Sequence, residues 1–323
     1  MISIYDSADG TLVKRLSGGL AGAAPVWIDL LHPTKDEELA VEKALGISVP
    51  TLDEMKEIET SSRLYNEGGA HYMTATLLRQ IGNEPAVRMS VTFILKDHTL
   101  VTVRYEEPRA VEQFLARVQK KDADCTTGCA VLVGLLEAVI DREADRIERI
   151  TGEVDKLSQT IFAPKGGSGS RSRRFEVNIK TIGLEGEIAS RTRESLLSID
   201  RVLTYVTHVM GERGDEKSLR ARVKTASRDI TSLELHVDAI SQKVQFLLDA
   251  SLGLISIEQN NIIKIFSVAS VALMPPTLIA SIYGMNFKHM PELESVYGYP
   301  IAIVAMILSA VIPFIYFKQK GWY

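Results

Sequence analysis

The chain has 323 residues, of which 24% are charged, and its formal net charge is −4. A balance so close to neutral argues against a nucleic-acid-binding protein, which needs a broad basic surface. The mean hydropathy of +0.06 is high for a chain with this many charges, so the apolar residues are expected to be concentrated in one region. Cys125 and Cys129 have no third cysteine or histidine close in sequence, which favours free thiols in a reducing compartment over a zinc site.

Residues 1–125 have the pattern of a small α/β domain. One helix is predicted after Thr34, a residue type that caps helices, and another after Pro108. The segment contains neither GxxxxGK[ST] nor GxGxxG, so nothing indicates an ATP-driven motor. No basic segment followed by an apolar run precedes it, and the domain is therefore expected to remain in the cytoplasm. Strands are predicted at 26–30, 72–78, 89–95 and 100–105, the last two forming a hairpin.

Residues 126–261 are predicted to form a stalk of long helices. The first helix covers 131–162, and a second covers 174–212 after a connector of glycine and serine at 164–172. The first helix is expected to bury its apolar face and to expose its acidic residues. The acidic residues assigned to its outer face are Asp141, Glu143, Asp145, Glu148 and Glu153.

The third helix of the stalk has apolar residues in alternating steps of three and four, with one polar gap at Ser251. This repeat is typical of a coiled-coil seam. The seam fits the core of a helical hairpin within one chain as well as a contact between subunits. Its members are Ile230, Leu233, Val237, Ile240, Val244, Leu247 and Leu254.

Two uncharged segments, 265–287 and 295–317, follow this helix near the end of the chain. About 20 apolar residues cross a bilayer, so both are long enough to span one. Buried helices of a soluble domain usually keep a charged face, and these two have none. The membrane domain is therefore expected at 262–323, with a first helix at about 262–285, a loop at 284–299 and a second helix at about 295–317.

The flanking charges predict how the two spans are oriented. The second span ends in Lys318 and Lys320, followed by aromatic residues, which is typical of a cytoplasmic edge. The connecting loop has Glu292 and Glu294 against the single lysine Lys288. Both termini are therefore expected on the cytoplasmic side.

The first span has one face of small, hydroxylic or soft residues. Such faces more often pack helices together than line a pore. Two spans cannot enclose a pore, so the pore interpretation requires an oligomer around the first span. The face consists of Asn260, Ser267, Met274 and Ser281, each seven residues apart, and of Ile263, Ser270 and Thr277 between them.

A distinctive motif stands at the outer end of the first span. Residues 283–287 read Tyr-Gly-Met-Asn-Phe, residues 290–293 read Met-Pro-Glu-Leu, and residues 298–300 read Gly-Tyr-Pro. This arrangement resembles the signature of the CorA family of magnesium transporters. The similarity extends through 257–268 and Pro275-Pro276-Thr277, and more loosely to Trp27-Ile28-Asp29-Leu30.

The resemblance implies a homopentamer in the bacterial inner membrane. The fold it implies is an α+β cytoplasmic domain with αβα layers in a funnel, a long helical stalk and two C-terminal transmembrane helices. The implied function is a channel for Mg2+ uptake that also passes Co2+ and Ni2+ and is gated by intracellular Mg2+. It implies no prosthetic group, no enzymatic activity and no nucleic-acid partner.

The resemblance also assigns roles to individual residues. Gly284, Met285 and Asn286 would form the selectivity filter, with Tyr283 and Phe287 supporting the motif. Mg2+ dehydrates reluctantly, and conduction requires weak binding, so amide oxygens that contact the hydration shell suit it better than a carboxylate cage. The pore-lining residues would be Asn260, Ile263, Phe266, Met274 and Thr277, with Ser267, Ser270 and Ser281 on the same face. Glu292 and Glu294 would raise the cation concentration at the outer mouth.

Regulatory Mg2+ in this family is held by carboxylates between subunits. The corresponding positions here are Asp229 on the third stalk helix and Glu84 in the region of the β-hairpin. Two alternatives remain open: a zinc transporter of a related branch, whose outer motif is typically a variant of Gly-Met-Asn, and a membrane scaffold that transports nothing.

Overall fold

A computed structural model describes residues 1–8, 10–15, 25–79, 86–120, 125–163, 171–213, 217–286, 295 and 297–321. The chain divides into two compact units. The first comprises Met1–Ser168 and Glu176–Leu248, and the second comprises Gly169–Phe175 and Asp249–Tyr323.

The first unit is built on one mixed sheet of seven strands in the order β2-β1-β3-β7-β6-β5-β4. Only β3 and β7 are parallel, and every other neighbouring pair is antiparallel. The strands are β1 (Ile2–Ala8), β2 (Thr11–Lys14), β3 (Trp27–Leu31), β4 (Leu64–Glu67), β5 (Ala70–Arg79), β6 (Val87–Lys96) and β7 (Thr99–Arg104).

The predicted strands and hairpin are confirmed. Lys96 pairs with Thr99, so only Asp97 and His98 form the turn between β6 and β7. Asp97 has a positive φ of 48°, a conformation that aspartate tolerates better than most residues. All six residues of β7 are buried, which explains why this strand is almost continuously apolar or hydroxylic in sequence.

Short helices border the sheet: α1 (Lys35–Leu45), α2 (Thr60–Arg63) and α3 (Arg109–Gln119), with a 3-10 turn at Glu54–Lys56. The predicted N-cap at Thr34 is confirmed, and Glu37 completes a capping box with it. The helix predicted after Pro108 is α3, which begins at Arg109.

The long helices are α4 (Gly128–Phe162), α5 (Arg171–Arg213), α6 (Lys217–Tyr283) and α7 (Gly298–Gln319). Gly128 begins α4 directly against the β6–β7 turn, where its amide donates to the His98 carbonyl at 2.8 Å. A Cβ atom at this position would lie 2.5 Å from the Leu100 amide nitrogen. Glycine is therefore required for this helix to start so close to the sheet.

The expectation that Glu143 lies on the outer face of the first long helix is wrong. Its side chain is buried and forms an ion pair with buried Arg146. The Ser195 hydroxyl of α5 donates to Glu143 Oε1 at 3.1 Å, and Arg146 donates to the Leu78 carbonyl at 3.0 Å. The helical pattern alone could not reveal this, because the partners come from α5 and β5.

The apolar seam on the third helix packs within the chain. Ile230, Val237, Ile240 and Leu247 are buried in a single copy. A Cβ atom on Gly186 of α5 would lie 3.1 Å from Val244 Cγ1, which shows how closely α5 and α6 approach. The hairpin-core interpretation therefore accounts for the seam, and no second copy is needed to bury these residues.

The carboxyl of Glu185 on α5 is also buried. Its Oε2 lies 4.0 Å from Arg149 and has no hydrogen-bond partner among the described residues. Burial raises the pKa of Glu185, and the charge of Glu153 adds to this effect, while Arg149 opposes it.

We expect Glu143→Ala to lower the free energy of unfolding by about 3–5 kcal/mol, because it leaves the Arg146 charge buried without its partner. Denaturant unfolding of the detergent-solubilised protein measures this change. Glu148→Ala, an exposed acid on the same helix, is the matched control and should have little effect. Replacing both Glu143 and Arg146 by methionine should recover most of the loss, and a double variant as unstable as Glu143→Ala would contradict the explanation.

We expect Glu185→Gln to stabilise the protein increasingly as pH rises. The folded state holds the Glu185 proton more tightly than the unfolded chain, so its ionisation costs stability from the ordinary carboxyl range up to the raised pKa. The difference in Tm between variant and wild type, measured from about pH 4 to pH 8, should therefore grow with pH. Glu187→Gln on the exposed face of α5 is the control, and a pH-independent difference for Glu185→Gln would refute the prediction.

Candidate functional site

The C-terminal part of α6 and the whole of α7 are long and apolar enough to cross a membrane, and both are mostly exposed in the single chain. On α7, Ile301, Val304, Leu308 and Ile312 are each more than half exposed. A helix that is apolar on all sides and not buried in protein needs a non-aqueous environment. The two helices are therefore membrane spans rather than core helices of a soluble domain.

One face of α6 in this region is protected within the chain. Val268 is buried, and Ala272, Ile279 and Tyr283 are partly buried. Their spacing of four, seven and four residues puts them on one side of the helix. On α7 the buried residue is Ala302. Sequence reasoning missed this face, although its small and branched residues at helical spacing are the available signal.

The predicted pore-lining face lies roughly opposite to the protected one, about half a turn around the helix. Phe266 and Met274 are each 69% exposed, and Ile263 is 60% exposed. This face is therefore not used for packing within the chain, and it is free to meet other copies or water. The remaining members, Asn260, Ser267, Ser270, Thr277 and Ser281, are also exposed.

Two prolines, Pro275 and Pro276, lie inside α6 near the middle of the span. Proline has no amide hydrogen, so the carbonyls of Val271 and Ala272 lose their usual helical donors. The Thr277 hydroxyl donates to the Leu273 carbonyl at 2.8 Å, the carbonyl that follows the two without amide donors.

The motif begins where α6 ends. The Gly284 amide still donates to the Ala280 carbonyl at 3.0 Å, and the Met285 amide donates to the Ile282 carbonyl at 3.2 Å. A Cβ atom on Gly284 would lie 3.2 Å from the Ala280 carbonyl oxygen. The last turn thus tightens, and Met285 and Asn286 leave the helix with exposed side chains. Asn286 therefore follows directly on the end of the helix that has the exposed polar face.

Several predicted site residues lie outside the described residues. These are Phe287, which would support the motif, Glu292 and Glu294 at the predicted mouth, and Glu84 at the predicted regulatory site. The structure brings the polar face and the residues 284–286 onto one helix and its end. It places Asp229 in the other unit.

Asp229 lies on an exposed part of α6. It makes no ion pair with any residue in the described part of the chain. Nor does any group of three or more histidine, cysteine, aspartate or glutamate side chains suited to a metal ion occur among the described residues. A regulatory site at Asp229 would thus need ligands from outside the described part of one chain.

Comparison with known proteins identifies the family. A profile described as CorA-like Mg2+ transporter protein matches residues 22–319. The chain belongs to this family. The magnesium transport proteins CorA of Salmonella typhimurium and Escherichia coli K12 are each 35% identical to it over 297 residues, which is 92% of this chain and 92% of theirs.

Several solved structures share the fold. The complete CorA magnesium transporter from Methanocaldococcus jannaschii matches with a TM-score of 0.80 and 18% identity over 100% of this chain and 99% of its own. The full-length CmaX protein matches with a TM-score of 0.72 and 14% identity over 100% of this chain and 98% of its own. The cytoplasmic domain of ZntB from Vibrio parahaemolyticus covers 79% of this chain and 97% of its own, with a TM-score of 0.55 and 10% identity. The expected CorA-like fold, a mixed α and β soluble part with a long helix and two C-terminal spans, is confirmed.

Proposed function

We propose that this chain is the subunit of a bacterial inner-membrane channel that admits Mg2+ to the cytoplasm down its electrochemical gradient. The observation that carries the proposal is the position of the polar face of α6. It is exposed in the single chain, lies opposite the protected face and ends at Gly284, Met285 and Asn286. Membership of the CorA-like family and relatives named as magnesium transport proteins support the choice of ion.

The channel requires several copies around a common axis, and we propose a pentamer. Each residue of the polar face would then occur once per subunit and form a ring. Ser267, Ser270, Thr277 and Ser281 would give rings of hydroxyl groups, and Asn260 would give a ring of amides. None of these rings carries a charge, so none would hold a divalent cation too tightly to release it.

Selectivity would come from Asn286 at the end of the helix. Amide oxygens can accept hydrogen bonds from the water molecules around Mg2+ without removing them, which suits an ion that dehydrates reluctantly. The Gly284 backbone carbonyls would contribute oxygens in the same place. Tyr283 is partly buried on the protected side of α6 and would support the motif, as would Phe287. Glu292 and Glu294 would concentrate cations at the mouth.

Closure would rely on the apolar members of the same face. Ile263, Phe266 and Met274 would form narrow apolar rings that exclude water when the helices approach each other. No ATP is needed for inward transport. A divalent ion gains about 4–5 kcal/mol per 100 mV of inside-negative potential, twice the value for a single charge.

Intracellular Mg2+ would regulate the channel through Asp229. An exposed carboxylate without an ion-pair partner in the described part of its own chain is available to share a cation with a neighbouring subunit. Glu84 would supply a ligand from that neighbour. Falling Mg2+ would then remove a bridge between subunits and loosen the closed state. We further propose that Co2+ and Ni2+ pass through the same filter, and that both termini are cytoplasmic.

Zinc transport is the second candidate, because the family resemblance leaves open a related branch that transports zinc. The intact Gly-Met-Asn at 284–286 favours Mg2+ over zinc, because the zinc branch typically has a variant of this motif. A membrane scaffold without transport would leave the exposed polar face and its motif without a role.

We expect Asn286→Ala to reduce Mg2+ uptake into proteoliposomes at least about tenfold at an inside-negative potential, because it removes the amide ring that contacts the hydrated ion. The matched control is Asn261→Ala. It deletes the same amide group on the side of α6 that is opposite to the polar face, and it should leave uptake near the wild-type level. Adding Zn2+ as a competitor separates the two candidates. Efficient zinc entry with little Mg2+ flux would assign the protein to the zinc branch, and equal flux in wild type and Asn286→Ala would contradict the filter.

We expect Asp229→Ala to raise the internal Mg2+ concentration that half-inhibits uptake by about three- to tenfold, because one ligand of the bridging ion is lost. Flux measured against internal Mg2+ in proteoliposomes tests this. Asp145→Ala on the exposed side of α4 is the control and should not shift the inhibition curve. An unchanged curve for Asp229→Ala would remove Asp229 from the regulatory site while leaving the filter assignment intact.

A further inference from the structure

A groove of about 740 Å3 opens between the sheet and α5 in the first compact unit, which is called the soluble unit below. One wall comes from the segment between Leu52 and Arg63, which includes the 3-10 turn and α2. The opposite wall comes from the exposed side of α5 between Glu194 and Arg201, and strands β5 and β6 form the floor. Its volume lies within the range of about 300–1,000 Å3 that is typical of sites for small molecules.

The groove has more positive than negative side chains. Among the described residues, two carboxylates line it, and each is already paired with an arginine: Glu194 with Arg88 at 2.7 Å and Glu106 with Arg79 at 3.2 Å. The cations that line it are Lys56, Arg63, Arg88 and Arg201. These two carboxylates therefore do not cancel the charge of the four cations.

Arg63 and Arg201 are the two guanidinium groups without a carboxylate partner in the groove. Arg63 Nη1 donates to the Thr76 hydroxyl at 2.7 Å, and its Nε donates to a backbone carbonyl, both neutral acceptors. Arg201 makes no ion pair within the described ranges of the chain. Both also border an adjacent small cavity with Thr74 and Ser198, so the two side chains lie close together.

Two like charges so close together repel each other, and this repulsion lowers the stability of the charged form of each side chain. Burial lowers the pKa of Arg63, and the positive charge of Arg201 lowers it further. An anion held by both groups would relieve the repulsion. The planar guanidinium fork matches the oxygens of a phosphate group, which it can bind through two hydrogen bonds at once.

The rest of the groove is apolar and aromatic. Ile58 is 83% exposed and Leu197 is 41% exposed, although both are large apolar residues. His32 and Tyr105 meet edge to face with their ring centres 5.8 Å apart, and both line the groove. Inorganic phosphate would use none of these groups. A ligand that joins phosphate to a flat, largely apolar ring would use both ends.

We propose that this groove binds a nucleoside phosphate, with its phosphate groups at Arg63 and Arg201 and its base on the apolar and aromatic wall. The site differs from a phosphate loop at a helix N-terminus, because its donors are side chains on a sheet-to-helix cleft. The inference concerns binding alone and includes no chemical step. It is independent of the proposed transport, and a bound nucleotide would make the soluble unit responsive to the cellular nucleotide pool.

Isothermal titration of the detergent-solubilised full chain with ATP, ADP, pyrophosphate and adenosine tests the proposal. EDTA in every buffer prevents binding through a metal ion elsewhere in the protein. We expect saturable binding of ATP or ADP that weakens at least about tenfold in Arg201→Glu, because one charge-assisted contact is lost and a repulsive charge is introduced. Arg63→Gln, which keeps a donor for Thr76, should weaken binding similarly.

The matched control is Lys180→Glu, which makes the same charge change on the same helix. Position 180 is 21 residues before Arg201, about 30 Å along α5. Because Arg201 is exposed and makes no ion pair among the described residues, Arg201→Glu should remain folded, and its Tm checks this. If Arg63→Gln does not fold, Arg201→Glu carries the test alone.

Three results would overturn the proposal. The first is no saturable binding of ATP or ADP to the wild type, and the second is equal affinity in wild type and Arg201→Glu. The third is pyrophosphate binding as tightly as the nucleotides, which would mean that the groove holds a simple anion and that the apolar wall has no part in it. Loss of binding in the two arginine variants with unchanged binding in Lys180→Glu would establish the site.

Discussion

Helix α6 runs without a break from Lys217 to Tyr283 and contributes to both compact units. Its first part buries apolar residues such as Ile230 and Val237 in the soluble unit. Its last part exposes apolar and hydroxylic residues in the second unit, which contains both spans and is called the membrane unit below. One helical backbone must therefore be stable both in contact with water and in contact with lipid. In lipid every backbone polar group needs an internal partner, and an α-helix provides these partners within one segment, apart from the two carbonyls that face Pro275 and Pro276.

The same constraint explains the sequence of the membrane unit. Charged side chains are costly in hydrocarbon, so the polar character of the candidate path is supplied by hydroxyl and amide groups such as Ser267 and Asn286. A hydrated divalent ion can be contacted by these groups without being trapped. The soluble unit is in contact with water and contains many charged side chains. Ion pairs such as Arg104–Asp29 at 2.7 Å lie inside it, and arginines line its groove.

Local patterns predicted much of the fold because their physics is local. The Thr34 cap, the start of α3 after Pro108 and the hairpin of β6 and β7 each depend on a few neighbouring residues. Glu143 was predicted wrongly because its partner Ser195 is 52 residues away in sequence. The groove was missed for the same reason, since Arg63 and Arg201 meet only after the sheet and α5 have packed.

The candidate path was predictable in part. Spacing grouped its residues on one face of α6, but spacing alone could not decide whether that face packs against the same chain. The burial of Val268 on the opposite side answers this question for the single chain. The assignment of Asn286 as the filter came from a resemblance to a family, since an asparagine after a glycine has no such meaning by itself. The roles of Glu84, Phe287, Glu292 and Glu294 remain proposals from that resemblance.

The adjacent prolines in the membrane part of α6 have a mechanical consequence. Bending an ordinary helix stretches or breaks backbone hydrogen bonds, but at Pro275 and Pro276 two of those bonds do not exist. A bend at this point therefore disturbs fewer backbone hydrogen bonds than a bend elsewhere in the span. Met274 lies just before it and Thr277 just after it. In the proposed channel, a small bend would change the spacing of one of their rings while leaving the other nearly in place. The proposed apolar constriction and hydroxyl ring, three residues apart, would then widen separately although one helix carries both.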